Sequence, residues 1–252
     1  MKKHTIGVLF GGILLAASAV PGAALAQDEE SKPFIYATYF YCKTSMQEKA
    51  DELVEKNTKP IYDAAVKDGT ITGWGWLAHH TGGKWRRIQY HMSDSVEGLL
   101  KAQEVLAERA GDTDDGFDEI CGAHDDYIWQ AESGSATDKE RGTTSMSVYH
   151  ECDISREERA DEIVAKVFAP VYDKAVADGK LTAWGWNSHM VGGKYRRLGT
   201  MSANSWGELL KARGEILEAI YGDGESKEAA EFSSICTSHS DYMWEIVHEG
   251  RG

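Results

Sequence analysis

Residues 73–87 read GWGWLAHHTGGKWRR, and residues 183–197 read AWGWNSHMVGGKYRR. The two segments share Trp-Gly-Trp, a histidine, Gly-Gly-Lys and Arg-Arg at matched positions, 110 residues apart (184 − 74). The same spacing relates Cys42 to Cys152 further towards the N-terminus. Such a series indicates that the chain is a tandem duplication of one module. Two copies are too few for a solenoid of stacked repeats.

The spacing between the copies grows to 115 (236 − 121) at Cys121 and Cys236. The second copy therefore has extra residues near 221–231, which we interpret as a loop because loops accommodate insertions at little cost. A Ser-, Gly- and Thr-rich segment between the copies is typical of a linker. The predicted organisation is a first repeat, a linker and a second repeat, at residues 27–132, 133–144 and 145–252.

The N-terminus is typical of a secretory signal peptide. Lys2 and Lys3 precede an apolar run at residues 6–20, and Ala-Leu-Ala ends at Ala26. We predict a signal peptide over residues 1–26, cleaved near Ala26, and a periplasmic or secreted mature protein. An uncleaved membrane anchor is the alternative, which the short run disfavours because a spanning helix needs roughly 20 apolar residues.

The charge of the chain excludes two classes of partner. The formal net charge of −14 becomes −16 without Lys2 and Lys3, with 25 basic against 41 acidic residues. Such a surface repels nucleic acid and anionic lipid, so we expect neither nucleic acid nor, after signal removal, a membrane as partner. Phosphate-binding, dinucleotide-binding and common hydrolase motifs are absent from the sequence, and we predict no cofactor.

One copy reads as a β-α-β-β-α-β unit, the ferredoxin-like arrangement. In the first copy the predicted elements are a strand at 33–42, a helix ending at 68, strands at 70–79 and 84–92, a helix at 93–110 and a strand at 119–130. Pro60 and Pro170 fall inside the first helix of each copy and should kink or split it. Right-handed crossovers give the sheet order 4-1-3-2 and place both helices on one face. The other face, which is rich in aromatic residues, then needs a covering.

Two such units in one chain resemble the dimeric α+β barrel superfamily, in which two ferredoxin-like units pack sheet to sheet. We therefore predict an α+β fold, with two ferredoxin-like repeats forming a pseudo-dimeric α+β barrel. The resemblance rests on element order and implies small cofactor-independent monooxygenases, isomerases and haem-handling proteins as relatives by fold. Fold-level likeness carries function weakly.

The strand order predicts how the four cysteines pair. In a 4-1-3-2 sheet, the end of strand one lies beside the start of strand four. Cys42 and Cys121 hold these positions in the first copy, and Cys152 and Cys236 hold them in the second. We predict the disulfides Cys42–Cys121 and Cys152–Cys236, each worth about 4 kcal/mol in the chain-entropy account. Free buried thiols are the alternative, and a metal site is disfavoured because no Cys-x-x-Cys spacing occurs.

Histidine and carboxylate pairs recur on strand four. His124 and Asp126, like His239 and Asp241, are two residues apart, so each pair shares a face of its strand. A carboxylate beside a histidine can set its tautomer for proton transfer, which makes the four residues candidate catalytic groups. The alternative is a satisfied polar pair at the rim of the barrel.

The repeated motif supplies candidate ligand-binding residues. They are Trp74, Trp76, His79, Arg86, Trp184, Trp186, His189 and Arg196. Simpler roles compete, because tryptophans commonly form core and surface arginines commonly form weak ion pairs.

A further hypothesis places histidines of different copies together. Strand two of one copy should approach strand four of the other, so that His79 meets His239 and His189 meets His124. A metal there would need three convergent ligands, and no metal site is predicted.

Two functions follow from different classes. The first is a small-ligand-binding or structural, stress-related module of the cell envelope. The alternative is a cofactor-independent monooxygenase-like or isomerase-like enzyme acting on a small organic substrate in the barrel. Enzymatic activity stays open at this point. A deep cavity lined by His, Asp and Arg would favour the enzyme, and a barrel filled with Trp and Tyr would argue against it.

Overall fold

A computed structural model describes residues 32–111, 115–137, 141–222 and 226–252 of the chain. The predicted signal peptide at 1–26 lies outside these residues. Within them, every helix is too short or too polar to cross a membrane.

Among the described residues, each repeat contains four strands and four α-helices. The first repeat comprises β1 (Phe34–Tyr41), α1 (Gln47–Leu53), α2 (Lys59–Lys67), β2 (Gly73–Gly82), β3 (Arg87–Ser93), α3 (Val96–Ala110), α4 (Phe117–Cys121) and β4 (Ala123–Ala136). The second comprises β5 (Thr144–Cys152), α5 (Glu157–Ile163), α6 (Ala169–Ala177), β6 (Ala183–Val191), β7 (Arg197–Ala203), α7 (Trp206–Tyr221), α8 (Lys227–Ile235) and β8 (Cys236–Arg251). The predicted element order is confirmed. The short helices α4 and α8 before each last strand were not predicted, and β4 continues to Ala136, inside the predicted linker.

Proline splits the first helical segment of each repeat, as predicted. Pro60 lies in the first turn of α2, where its missing N–H needs no partner, and a π-helical turn at Val54–Thr58 precedes it. Pro170 and the π-helical turn Val164–Phe168 repeat the arrangement in the second copy. Gly69 ends the segment with φ +77°, a left-handed conformation that glycine adopts without strain.

The eight strands form one closed antiparallel barrel. Its order is β1-β3-β2-β8-β5-β7-β6-β4, so each repeat has the predicted 4-1-3-2 order. Strand two of each repeat pairs with strand four of the other, through β2–β8 and β4–β6. The repeats are therefore joined along hydrogen-bonded seams as well as through their facing surfaces, and closure leaves no sheet edge to protect.

Aromatic side chains fill the inside of the barrel. Eight of them belong to the buried cluster there: Tyr39, Trp85, Tyr127, Trp129, Tyr149, Tyr195, Tyr242 and Trp244. Neighbouring rings lie with centroids from 4.3 Å, for Tyr39 and Trp85, to 6.4 Å, for Tyr127 and Tyr195. This packing argues against a substrate site inside the barrel and directs attention to the layers between the sheet and the helices.

Both predicted disulfides are confirmed. Cys42 is bonded to Cys121 and Cys152 to Cys236, at S–S distances of 2.10 and 2.06 Å. Cys152 and Cys236 are direct neighbours in the β5–β8 register. Each bond links the end of the first strand to the start of the last, as the antiparallel neighbours in the predicted order require.

Candidate functional site

The His–Asp pairs on the last strands form as their spacing predicts. His124 Nδ1 lies 3.1 Å from a carboxylate oxygen of Asp126, and His239 Nδ1 lies 2.7 Å from Asp241 Oδ1. Both pairs are on the outer face of the sheet, because the alternate residues of β8, such as Tyr242, point into the barrel. A catalytic role for these four residues stays a prediction.

The other predicted histidines lie against the barrel interior beside arginines. Arg86 Nη1 lies 2.9 Å from His79 Nδ1, and Arg196 Nη1 lies 2.8 Å from His189 Nδ1. Burial lowers the pKa of both imidazoles, and the neighbouring guanidinium groups lower it further. At physiological pH each of these histidines is therefore neutral and lies beside a charged arginine.

The expected meeting of histidines from different repeats is wrong. His79 is in register with Trp244, five residues beyond His239 (244 − 239), and His189 is in register with Trp129. An odd separation places Trp244 and His239 on opposite faces of β8, so His79 and His239 cannot converge. Among the described residues, no cluster of three His, Cys, Asp or Glu side chains suited to a metal ion occurs.

The four motif tryptophans are core residues between sheet and helices. Trp74 Nε1 donates to Asp63 at 2.9 Å and Trp76 Nε1 to Asp51 at 2.8 Å. Trp184 and Trp186 make the same bonds to Asp173 and Asp161, at 2.7 and 2.8 Å. Each indole is thus buried with its N–H satisfied, as expected for tryptophan.

Beyond this shared role, Trp184 and Trp186 line a cavity of about 240 Å³ in the second repeat. It lies between the outer face of the sheet and the helices α6, α7 and α8. Its walls are mainly apolar and aromatic, and Phe168 and Phe232 contribute to them. One arginine and two histidines also line it, namely Arg213 on α7, His150 on β5 and His239 on β8. An apolar cleft with a few convergent polar groups is typical of a small-molecule site.

The polar residues of the cavity form a connected group. Arg213 Nη2 donates to Asp241 Oδ2 at 2.9 Å, and Asp241 Oδ1 lies 2.7 Å from His239 Nδ1. The rings of His239 and His150 are 5.8 Å apart. Asp241 therefore orients both a cation and an imidazole that line the cavity.

His150 is the unusual member of this group. Its Nδ1 is buried and has no hydrogen-bond partner in the structure. Burial, together with a smaller effect of His239, lowers the pKa of the imidazole to about 3. The ring is therefore neutral at physiological pH, with an unsatisfied nitrogen beside an empty space of ligand size.

The first repeat has different residues at three of the positions that shape this cavity. Phe40, Gln89 and Gln103 stand where the second repeat has His150, Gly199 and Arg213, each 110 residues later. The Phe40 ring packs against Trp76 and Phe117, with centroids 5.8 and 5.4 Å away. In the second repeat the smaller Gly199 lies beside Trp186 and leaves space instead.

Sequence reasoning missed His150, Gly199 and Arg213. The signal was present in the sequence as differences between the copies at a spacing of 110. The motif tryptophans common to both copies are core residues, and Trp184 and Trp186 also line the cavity beside residues that differ between the copies.

Comparison with known proteins supports the fold and not a specific family. No protein-family model and no curated protein match the chain. Among solved structures, the chain is similar to a candidate monooxygenase from Lactobacillus acidophilus NCFM, with 9% identity, a TM-score of 0.58 and coverage of 87% of this chain and 96% of that one. It is similar to an anthrone oxidase-like protein, with 16% identity, a TM-score of 0.56 and coverage of 88% and 94%.

A third similar structure is a mutant chlorite dismutase from Candidatus Nitrospira defluvii, with 7% identity, a TM-score of 0.54 and coverage of 87% and 92%. Identities this low establish the fold alone. The chain has the fold of the dimeric α+β barrel proteins, with both halves of the barrel supplied by one polypeptide.

Proposed function

We propose that the second repeat binds a small organic molecule in the cavity between its sheet and its helices. The observation that carries this proposal is the buried, unpartnered Nδ1 of His150. Leaving such a group without a hydrogen bond costs about 1–3 kcal/mol. Of the six buried side-chain atoms without a partner among the described residues, only this one belongs to a residue that lines the cavity. A ligand with a polar group would satisfy it.

The size of the cavity limits the ligand. An apolar cavity of about 150 Å³ holds benzene, and drug-sized ligands occupy about 300–1,000 Å³. At about 240 Å³, the cavity suits a molecule of one or two rings. Some proteins of this fold handle haem. Its macrocycle of four pyrrole rings is too large for a cavity of about 240 Å³, so we do not propose haem as the ligand.

Exchanging residues between the repeats tests the proposal. Calorimetric titration of the protein with indole and 2-naphthol should show saturable binding to one site. His150→Phe and Gly199→Gln make those two positions like the first repeat and should each weaken binding about tenfold or more, as expected for the loss of a hydrogen bond or of space. The ideal Cβ at Gly199 meets Trp186 at ordinary contact distance, 3.7 Å, so the backbone accepts glutamine.

His80→Phe is the matched control, because His80 stacks on Trp206 at 4.3 Å and does not line the cavity. It should leave binding unchanged. Binding that survives both cavity substitutions, or no binding of either probe, would contradict the proposal.

A second candidate function is acid–base catalysis on the bound molecule. It is favoured by the His239–Asp241 pair, of which His239 lines the same cavity, since a proton on Nδ1 shared with Asp241 leaves Nε2 as the basic nitrogen. The similar structures described as a candidate monooxygenase and an anthrone oxidase-like protein add weak support. Base catalysis predicts that the protein speeds deuterium exchange at the acidic carbon of 2-tetralone in D2O, and that His239→Asn removes the effect. Equal exchange with and without protein would exclude this activity for that ketone.

We also infer that the protein works outside the cytoplasm. Two disulfides are typical of proteins that fold in an oxidising compartment, and they agree with the signal peptide predicted from the sequence. Cell fractionation with detection of the cleaved N-terminus near Ala26 tests this. A structural or stress role in the envelope stays a prediction without support from the fold.

A further inference from the structure

We propose that the ligand of this cavity is a small aromatic carboxylate, with its carboxylate on Arg213 and its ring or rings between the aromatic walls. This inference rests on the proposed binding function and adds the chemical class of the ligand to it.

The charged side chain that lines the cavity, Arg213, is opposite in sign to the net charge of the chain. The protein carries a net charge of −14, yet the residues described as lining the cavity include the cation Arg213 and no aspartate or glutamate. The first repeat has the neutral Gln103 at the same position. Among the described residues, the cation at this position is therefore specific to the second repeat.

Arg213 is placed where a carboxylate could reach it while staying partly hydrated. Its side chain is 28% exposed, and that of the neighbouring His239 is 50% exposed. These two residues therefore mark the side of the cavity that faces solvent, whereas the Nδ1 of His150 is buried. A ligand with a charged end and an aromatic body matches this polarity, because its charge need not be fully desolvated.

The guanidinium group of Arg213 has N–H donors beyond the one that binds Asp241, and that bond holds the group in position. Its hydrogen bond to Asp241 uses one of five N–H donors. Asp241 in turn is hydrogen-bonded to His239 and does not line the cavity, so it anchors the arginine from behind. The fork of an arginine matches a planar carboxylate, which can accept two parallel N–H bonds.

The remaining walls select against more strongly hydrated anions. Apart from Arg213 and the two histidines, the lining is mainly aromatic and aliphatic, with Trp184, Trp186 and Phe232 among its members. A phosphate would place two charges and four hydrated oxygens against these rings with a single cation to bind it, at a high desolvation cost. A carboxylate on an aromatic ring carries one charge and buries its ring.

The experiment compares a matched pair of probes, 2-naphthoate and its neutral amide 2-naphthamide, by calorimetric titration of the full protein at 150 mM salt and neutral pH. The two probes have the same ring system and differ in charge. We expect at least about tenfold tighter binding of 2-naphthoate, the effect of one charge-assisted hydrogen bond. Arg213→Gln, the residue of the first repeat, should remove this preference, and Arg213→Lys should retain part of it.

Arg159→Gln is the control, because Arg159 is half-buried and pairs with Glu231 and Glu162, and none of the three lines the cavity. It should leave the preference intact. If 2-naphthamide binds as tightly as 2-naphthoate and binding is lost in His150→Phe, the ligand class is overturned while the binding function stands. If neither probe binds, or if binding is insensitive to every cavity substitution, both proposals fall.

Discussion

The rings of Tyr39 and Tyr149 meet edge to face inside the barrel, with centroids 5.6 Å apart and planes at 82°. These residues hold the same position in the two repeats, 110 residues apart (149 − 39). Equivalent residues contact each other only beside a twofold axis, so this pair lies at the pseudo-twofold axis of the barrel. Trp85 and Tyr195, also equivalent, meet there at 5.9 Å and make the filling asymmetric. The pseudo-twofold axis that relates the two repeats therefore passes through the aromatic cluster at the centre of the barrel.

A conservative substitution at Tyr39 measures how much the hydrogen bond near this axis contributes to the free energy of unfolding. Trp129 Nε1 donates to the hydroxyl of Tyr39 at 3.1 Å, and both side chains are buried. Tyr39→Phe keeps the ring and leaves the indole N–H without its acceptor, which should cost about 1–3 kcal/mol in urea unfolding. Tyr41→Phe is the control, because the Tyr41 hydroxyl donates to Asp125 near the surface, and it should change stability by less than about 0.5 kcal/mol. Equal effects of the two changes would contradict the assignment.

Removing one partner of a buried ion pair should destabilise the protein more in the first repeat than in the second. Asp51 pairs with Arg87 and Asp161 with Arg197, each at 2.6 Å, and both arginine side chains are 5% exposed. Arg197 also has Glu157 at 3.3 Å, where the first repeat has the neutral Gln47. Removing one partner of a buried pair costs about 3–5 kcal/mol, since the other charge is left uncompensated.

We therefore expect Asp51→Ala to destabilise the protein by about 3 kcal/mol or more, and Asp161→Ala by less. Asp178→Ala is the control, because its pair with Lys174 is exposed and should contribute less than about 1 kcal/mol. Chemical unfolding of the three variants gives the order. A larger loss for Asp161→Ala than for Asp51→Ala would show that Glu157 does not compensate.

Two glycine-to-alanine changes should have opposite signs. Gly82 has φ +118°, and an added Cβ would lie 2.4 Å from the backbone oxygen of Asp241 across the β2–β8 seam. Gly82→Ala should therefore destabilise the barrel by more than about 1 kcal/mol. Gly214 lies within α7 with open space around it, so Gly214→Ala should stabilise the helix by up to about 1 kcal/mol. Thermal unfolding of both variants checks the signs, and a stable Gly82→Ala protein would show that the seam can relax.

The imidazole of His150, whose Nδ1 is buried, predicts a pH dependence of stability. Its pKa is about 3 in the folded protein and about 6.5 in an unfolded chain. The unfolded state therefore binds an extra proton as the pH falls below about 6.5, and stability is lost down to the folded pKa. Between pH 8 and pH 5, this site should lower the free energy of unfolding by up to about 2 kcal/mol.

His150→Phe should remove that part of the pH dependence. His91, whose pKa burial lowers to about 4, is present in both proteins and cancels in the comparison. Urea unfolding of the two proteins at pH 8 and pH 5 measures the difference. If both lose the same stability on acidification, the Nδ1 of His150 has a partner in solution that the structure does not contain.

Much of the fold could be predicted because its signals are local or follow from topology. Pro60, Gly69 and the alternating residues of the strands act over a few neighbours, and the crossover rule converts element order into strand order. The disulfides followed from that order. The helices α4 and α8 were missed because they are short and their residues were assigned to the adjoining strand and loop.

The candidate site could not be predicted in the same way. A cavity depends on the combined volume of side chains from several elements, and His150, Gly199 and Arg213 are far apart in sequence. The repeated motif suggested function by its density, but Trp74 and Trp76 are repeated because each module needs the same core. The register of β2 with β8 separated His79 from His239, a result that depends on residue-level strand alignment across the seam.

The sequence by itself determined the duplication, the βαββαβ order of each half and the pairing of the cysteines, because periodicity and chain topology constrain these directly. Only the tertiary structure decided that the barrel is filled with aromatic rings and that the outer layer of the second repeat has a cavity beside an unpartnered histidine nitrogen. The physical reason is that packing and desolvation are properties of side chains brought together from distant parts of the chain, and a change such as Gln89 to Gly199 has no consequence until its neighbours are in place.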